Sequence, residues 1–377
     1  MSRRTALQIV VYGIVCLAIL LVPTFYDDAF VLNKYSRYLV LGILAMALSL
    51  SWGYTGILNL GQATSFGLGT YCMAMALKLR TVPVHTGSAG LPDFMVWNNV
   101  ETLPWFWQPF YSLSFAIFAG IAVPVLFAIL LGWFIFRGRV TGVYVAIMTL
   151  AVLVVVNLMI IDQQRFTGGF NGITDLAQLE IFGLTFDAYG SSSYYLIAVC
   201  MTVSLFLALA ITKSKAGLIL QAIRDHEGRV RYFGYDVANF KIFAFAASAG
   251  IAGLAGMLYT IVMEFASPTF LGVPLSLSVV IWCAVGGRQS LLGAMLGAIV
   301  VTGMQGALSE SETFLDTWTL VMGFVFVVVV LFMPKGLAGA AEALFNRLVP
   351  PPGGDKRTRR GRALSRGGIT RETGPAE

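Results

Sequence analysis

Long apolar runs set the first limit on this chain. Residues 141–161 read TGVYVAIMTLAVLVVVNLMII without a single charge, and roughly 20 apolar residues in helical form cross the hydrocarbon core of a bilayer. In lipid, every backbone N–H and C=O must be satisfied within the protein, so only helices and closed barrels span it. Barrel strands alternate apolar and polar residues over about 10 positions. These runs do not alternate, so the expected fold is all-α, a polytopic transmembrane helical bundle. Composition agrees: 12% of residues are charged, against about 25% in soluble domains.

About ten spans are expected, at 8–25, 38–53, 56–79, 112–136, 141–161, 193–212, 242–263, 275–287, 290–308 and 317–333. The third is interrupted by glycines and polar groups and the eighth is short, so either is a candidate re-entrant segment. The first run follows Met-Ser-Arg-Arg, but Pro23-Thr24-Phe25-Tyr26-Asp27-Asp28 offers no small-residue cleavage site, and it reads as an uncleaved helix. With both termini placed in the cytoplasm, 20 of the 25 Lys and Arg residues fall on the inner side, the bias the positive-inside rule requires. The permease domain is expected over 1–349, with a cytoplasmic segment at 213–241 and an outer aromatic loop at 81–111.

That loop holds Leu91-Pro92-Asp93-Phe94-Met95-Val96-Trp97 and Leu103-Pro104-Trp105-Phe106-Trp107, a composition that suits a membrane-interface anchor or a docking surface for a soluble partner. The tail, 350–377, is rich in Pro, Gly and Arg and lacks an apolar face, so it is expected to be disordered. Its cluster Lys356, Arg357, Arg359, Arg360 and Arg362 reads as an orientation signal in contact with membrane lipid rather than as a nucleic-acid site.

Soluble chemistry is poorly represented. The sequence holds no GxxxxGK[ST] phosphate loop, HExxH or GxSxG, so energy from ATP would have to come from another chain. Four cysteines (Cys16, Cys72, Cys200, Cys283) lie within apolar runs without CxxC spacing, and the two histidines, His85 and His226, are far apart. The cysteines read as packing residues, with no catalytic or metal site and no cofactor bound by this chain. Intramembrane carboxylates, the usual mark of proton-coupled carriers, are scarce, since Asp162 and Glu264 fall at span ends.

Three polar stretches remain. Leu58 to Gly67 carries Asn59, Gln62, Thr64 and Ser65 within a span, and 166–175 carries Thr167 and Asn171 among glycines. Broken backbone at membrane depth belongs where protein or a water-filled cavity surrounds it. Both stretches are therefore candidate pathway linings, with tight helix packing or a structured outer loop as the alternatives. Gly250, Gly253 and Gly256 read as a packing face.

The third stretch, 213–241, is polar and basic between long apolar runs. A short helix is expected to open at 216–222, to carry Arg224, Asp225, Glu227, Arg229 and Arg231, and to end at Gly234-Tyr235. Glu227 and Arg231 have the favourable i to i+4 order. Tyr232 and Phe233 form an apolar knob suited to a partner's groove, with a solvated connector as the alternative.

AIRDHEGRVRYFGYDVANFKIFAFAASAGIAGLAGMLY resembles the signature of permease subunits of branched-chain amino acid and urea ABC importers. WGYTGILNLGQA, TGGFNGITDL, IWCAVGGRQSLLGAMLGA and MPKGLAG follow in that family's order, so the resemblance covers 37–339. LPDFMVWNNVETLPWFW, RDHEGRVRYFGY and VIWCAVGG look like the urea-type branch. The resemblance implies a translocation path shared with a second homologous permease subunit. It also implies two ABC ATPase subunits, carrying ATP and Mg, and a periplasmic solute-binding protein, in a bacterial inner membrane. It makes the region from Ala222 to Gly234 a coupling helix docked on an ATPase, with Ala222, Arg224, Asp225, Glu227, Arg229, Arg231, Gly234 and Tyr235 in that contact. The implied path runs along Asn59, Gln62, Thr64, Ser65, Thr167, Asn171, Ser278 and Trp282.

Two departures bear on the substrate. The urea-type LGHG is here Leu60-Gly61-Gln62-Ala63, and Ser278 stands where a carboxylate is common. The expected cargo is urea or a related small amide, with a branched-chain amino acid as the alternative. A stand-alone carrier or channel for small polar solutes is a further alternative.

Overall fold

The computed structural model describes residues 3–26, 28–81, 90–181, 183–310, 320, 323–324, 327 and 336–339. Of the chain's two units, Met1–Ala338 and Gly339–Glu377, the second contributes only Gly339 to these. The expected tail at 350–377 lies outside the described residues, as do His85 and all but four positions of the expected span at 317–333.

Helix α1 (Arg3–Leu20) leads into a 3-10 turn, Val22–Thr24. Helix α2 (Ala29–Thr55) opens under Asp28, whose carboxylate accepts from the Phe30 N–H at 2.8 Å. This satisfies one of the donors that a first turn leaves free. The helix closes at Gly56, whose φ of +76° is a left-handed conformation that glycine adopts without steric cost. Residues 56–61 are not helical, and α3 (Gln62–Thr81) follows. Next come α4 (Asp93–Trp97), α5 (Leu113–Arg137), α6 (Val143–Asp162) and α7 (Gln164–Thr167). A small antiparallel hairpin, β1 (Leu179–Ile181) with β2 (Leu184–Phe186), precedes α8 (Ser191–Lys213), α9 (Lys215–Tyr232) and α10 (Val237–Met263). A 3-10 turn at Pro268–Leu271, α11 (Val273–Gly286) and α12 (Leu291–Glu310) complete the described bundle.

Among the described residues, six helices are long and apolar enough to cross a membrane: α2, α5, α6, α8, α10 and α12. The expectation of about ten spans is thus met only in its coarser form, a multi-span helical bundle. Hydropathy marks the first residue too late in α2, because Asn33, Lys34 and Arg37 are polar yet helical. The third expected span is shorter than its run, since helix begins only at Gln62. At 14 residues, α11 reaches about 21 Å and cannot cross a hydrocarbon core of about 30 Å by itself. The hairpin departs from a purely helical fold, but it is confined to the 163–190 connection.

Hydropathy and position in the bundle run in opposite directions. Helix α3 is too polar to count as a span by composition, yet 17 of its 20 residues are buried, packed against α10 and α5. Helix α6 is among the most apolar, and Val143, Tyr144, Ile147, Val155, Leu158 and Met159 are exposed on it. In lipid the surface is the apolar place and the interior tolerates polar groups that find partners. Gly253 and Gly256 provide close approach, as the sequence suggests: a Cβ at Gly256 would sit 1.9 Å from the Phe66 carbonyl oxygen of α3.

Replacing Gly256 by Ala should therefore force α10 away from α3 and lower the thermal stability of the purified protein by about 1–3 kcal/mol. Gly228→Ala, where a Cβ meets nothing within 4 Å, should be neutral or mildly stabilising in the same melting assay.

Candidate functional site

The non-helical joint at 56–61 frees backbone groups that in a continuous helix would bond to one another, and side chains from surrounding helices take them up. Asn59 donates to the Gln62 Oε1 at 2.7 Å and accepts from the Gly61 N–H at 2.9 Å. The Leu60 N–H donates to Thr149 Oγ1 of α6 at 3.1 Å, and Leu60's carbonyl accepts from Ser276 of α11. Gln62 Nε2 reaches Ser248 Oγ of α10 at 3.1 Å, and Ser248 in turn donates to the Ala47 carbonyl of α2 at 2.6 Å. Asn59, Gln62, Thr149, Ser248 and Ser276 are all buried. One hub thus holds α2, α3, α6, α10 and α11 in register. Gly61 is required there, because a Cβ would lie 2.6 Å from the Thr149 carbonyl oxygen.

The expected pathway residues divide around this hub. Asn59 and Gln62 are within it, bonded to the protein itself. Thr64 and Ser65 are buried in the following turn, and the Thr64 hydroxyl has no hydrogen-bond partner. On α11 the hub uses Ser276, which the sequence reading passed over. Ser278 lies on the opposite, more open face beside Pro274 and Leu277, donating to the Pro274 carbonyl at 2.8 Å. Trp282, one turn after Ser278, is buried. Thr167 and Asn171 do not join these groups. Thr167 bonds to the Ile160 carbonyl at 2.6 Å, while Asn171 is exposed and Ile173 pairs antiparallel with Ala266. The 166–175 stretch is thus a structured loop.

Two end assemblies flank the hub. On the end that carries the 81–111 and 166–175 segments, Lys78 has a side chain only 4% exposed, held by Asp93 at 3.1 Å and Asp175 at 3.4 Å. That pair of contacts fastens α4 and the 166–175 loop to α3. Trp107 Nε1 donates to the Phe166 carbonyl at 3.0 Å, so the aromatic loop folds back on the bundle, leaving Trp97 and Trp105 exposed.

At the other end lies α9. Ser214 caps it, accepting from the Gly217 N–H at 3.2 Å, and the helix begins well before the stretch that carries the charges. It bends at His226 (φ −154°, ψ 85°), so two helical pieces, 215–225 and 227–232, meet at an angle. Ile223, Val230 and Val237 form a small buried cluster beneath it. Arg224 Nη1 donates to the Gly53 carbonyl at 2.8 Å, which places a cation at the carbonyl end of α2. The Arg224 stem lies over Gly56, where a Cβ would come within 3.3 Å of it. Glu227 bonds Lys241 at the base of α10 at 2.6 Å and Arg231 at 2.9 Å. Ala222, Asp225, Arg229 and Arg231 to Tyr235 are exposed. Gly234 has a left-handed φ of +87°, which turns the chain toward α10. Tyr232 and Phe233 are 90% and 77% exposed, so the apolar knob stands clear of the described bundle. Among the described residues no group of His, Cys, Asp and Glu could hold a metal ion.

The hub is open to direct test. Gln62→Leu strands the Asn59 amide and removes the donor to Ser248, each orphaned buried group costing about 1–3 kcal/mol. The expected result is a large fall in melting temperature and in monodisperse yield. Ser278→Ala, outside the hub, should leave both near wild type.

Residues 30–330 match the family described as branched-chain amino acid transport system / permease component. The high-affinity branched-chain amino acid transport system permease protein LivM of Salmonella typhimurium is 25% identical over 319 residues, covering 78% of this chain and 67% of that protein. A probable branched-chain amino acid transport permease protein LivM of Methanocaldococcus jannaschii is 24% identical over 267 residues, 68% of this chain and 75% of its own. The ribose import permease protein RbsC of Haemophilus influenzae is 26% identical over 212 residues, 52% of this chain and 62% of its own. No solved structure matches. The urea-type branch draws no support from these relatives, and the amino-acid alternative does. The match over most of its length shows that the chain belongs to the branched-chain amino acid permease family, as an ABC-type, multi-pass membrane transport component.

Proposed function

We propose that this chain is a permease subunit of an ATP-driven importer that moves a branched-chain amino acid, or a closely similar small amino acid, across a bacterial inner membrane. The cargo follows the names of the relatives; urea or a small amide is the second reading, favoured by the aromatic loop and the RDHEGRVRYFGY stretch. The partners in this reading are two ATPase subunits that hold ATP and Mg, a homologous permease and a solute-binding protein on the outer side. Both termini face the cytoplasm, and residues 1–349 form the permease domain.

The observation that carries the reading is the suspension of α9. Its bent, charged helix touches the end of α2 through Arg224 and the start of α10 through Glu227, while Tyr232 and Phe233 are exposed. Closure of ATPase subunits on that pair would displace α9, and Arg224 would carry the displacement to Gly53 and Gly56. Only two residues separate Gly56 from Asn59 and the hub. Inward- and outward-facing states would then differ in how α2, α6, α10 and α11 surround α3. The binding of ATP to the partner shifts the balance by its differential affinity for the two.

Co-expression with candidate ATPase subunits tests the assembly. Tyr232→Ala with Phe233→Ala should leave expression and melting temperature unchanged, since both rings are exposed, yet abolish co-purification of an ATPase. Arg224→Glu should keep the assembly and its ATP hydrolysis while reducing uptake of L-leucine into proteoliposomes by about tenfold or more, the scale of a lost charged hydrogen bond. Full ATPase retention by the double variant would overturn the docking role. Transport by the isolated chain without ATP would favour the stand-alone carrier.

A further inference from the structure

On α2, one side chain lacks the partner its chemistry demands. Arg37 is half-buried and makes no ion pair among the described residues. Among the described residues its buried Nε has no hydrogen-bond partner and its Nη1 has only the Met263 sulfur of α10 at 4.0 Å. A guanidinium stays charged throughout the accessible pH range and offers five donors in a planar fork. Leaving that charge partly buried and unpaired inside a membrane bundle is costly, and such residues commonly mark substrate routes.

The nearby acids among the described residues do not serve it. Glu310 is taken by Lys34 at 2.6 Å. Glu264, next after Met263, enters a left-handed cap with φ 56° and forms no ion pair among the described residues. Burial and then the neighbouring Asp187 hold its carboxyl above the usual carboxylate range. A lipid phosphate is also a poor fit. Arg37 stands about 12 Å along α2 from the helix start, and its contact is the Met263 sulfur at the end of α10 instead of an outward snorkelling path.

One turn before Met263 on α10 stands Tyr259, on the same helix whose Met263 sulfur Arg37 reaches. Tyr259 begins an apolar cluster: its ring is 5.3 Å from Phe66 and 5.1 Å from Phe270, and Phe270 is 5.1 Å from Phe265. Tyr259, Phe265 and Phe270 are only partly buried. An anion receptor therefore adjoins an accessible aromatic surface, and that surface ends on Phe66, in the turn after the hub.

We propose that Arg37 and the Tyr259, Phe265 and Phe270 rings form an entry subsite, in which the guanidinium receives the carboxylate of an amino acid and the rings receive its branched apolar side chain. This rests on the amino-acid reading of the cargo. Bidentate pairing of Arg with a carboxylate supplies the orientation. Small ligands are commonly held this way, by a mostly apolar wall with few polar anchors.

The assembled importer in proteoliposomes, with binding protein saturated with L-leucine, tests it. Arg37→Gln should lower the ATP-driven uptake rate roughly tenfold or more, the value of a charged hydrogen bond, with hydrolysis of ATP still stimulated by the binding protein. Arg37→Lys should restore part of the rate, since it keeps the charge but loses the fork. In parallel, millimolar L-leucine should raise the melting temperature of the wild-type assembly without binding protein, and L-leucinamide, which lacks the carboxylate, should not.

Wild-type uptake with unchanged uptake by Arg37→Gln would overturn the subsite, as would equal protection by leucine and leucinamide. A defect in Arg37→Gln that appears only in anionic lipid would assign the guanidinium to a lipid phosphate and overturn it too. If the wild type imports no amino acid, the reading of the cargo itself fails, and the subsite with it.

Discussion

Everything in this bundle depends on satisfying a broken backbone in a medium that offers no water. The chain leaves helix at Gly56 and re-enters it at Gln62, and the Leu60 N–H and C=O find side-chain partners on α6 and α11. With each unsatisfied group in lipid costing several kcal/mol, the joint is stable only while the helices around it stay in place. The hub therefore specifies the arrangement of five helices more strictly than apolar contact would, since lipid solvates a leucine about as well as a neighbouring helix does.

The same dependence gives the structure a means of transmitting force. Arg224 reaches the carbonyl end of α2 immediately before the joint, and Glu227 grips Lys241 where α10 begins. Both α2 and α10 supply the hub, through Ala47 and Ser248. A displacement of α9 thus acts on two helices that share one hydrogen-bond network, and such a network rearranges between discrete partner sets more readily than it stretches. At the opposite end, Lys78, Asp93 and Asp175 tie the loops to α3, so both ends of the bundle are linked through the same buried helix.

Much of the design was legible in the sequence. The uncharged runs became α5, α6, α8, α10 and α12 with ends close to those expected, because long apolar helices have no other way to satisfy their backbone. The glycines of SAGIAGLAGMLY showed a close helix contact, and the charged segment before them showed a helix with an apolar knob. Less legible was which polar side chain does what. Asn59 and Gln62 were visible as polar groups within a span, but that they bond to each other and to Ser248 depends on residues far away in sequence. Ser276 and Ser278 differ by two positions and face opposite sides of α11, a distinction that needs the helix's neighbours. Arg37 looked like one of five outer-side charges. Only the positions of Glu310 and Glu264 leave it without an ion pair among the described residues.

The sequence by itself determined that this chain is a helical membrane transport component, because apolar run length, charge asymmetry and motif order are properties of the chain alone. The tertiary structure decided that α3, too polar to count as a span by composition, is the buried helix and that the charged helix α9 hangs from α2 and α10. The break at 56–61 becomes a bonded joint for the same reason. Burial in a bilayer is set by which partners a polar group meets, and those partners come from helices that only folding brings together.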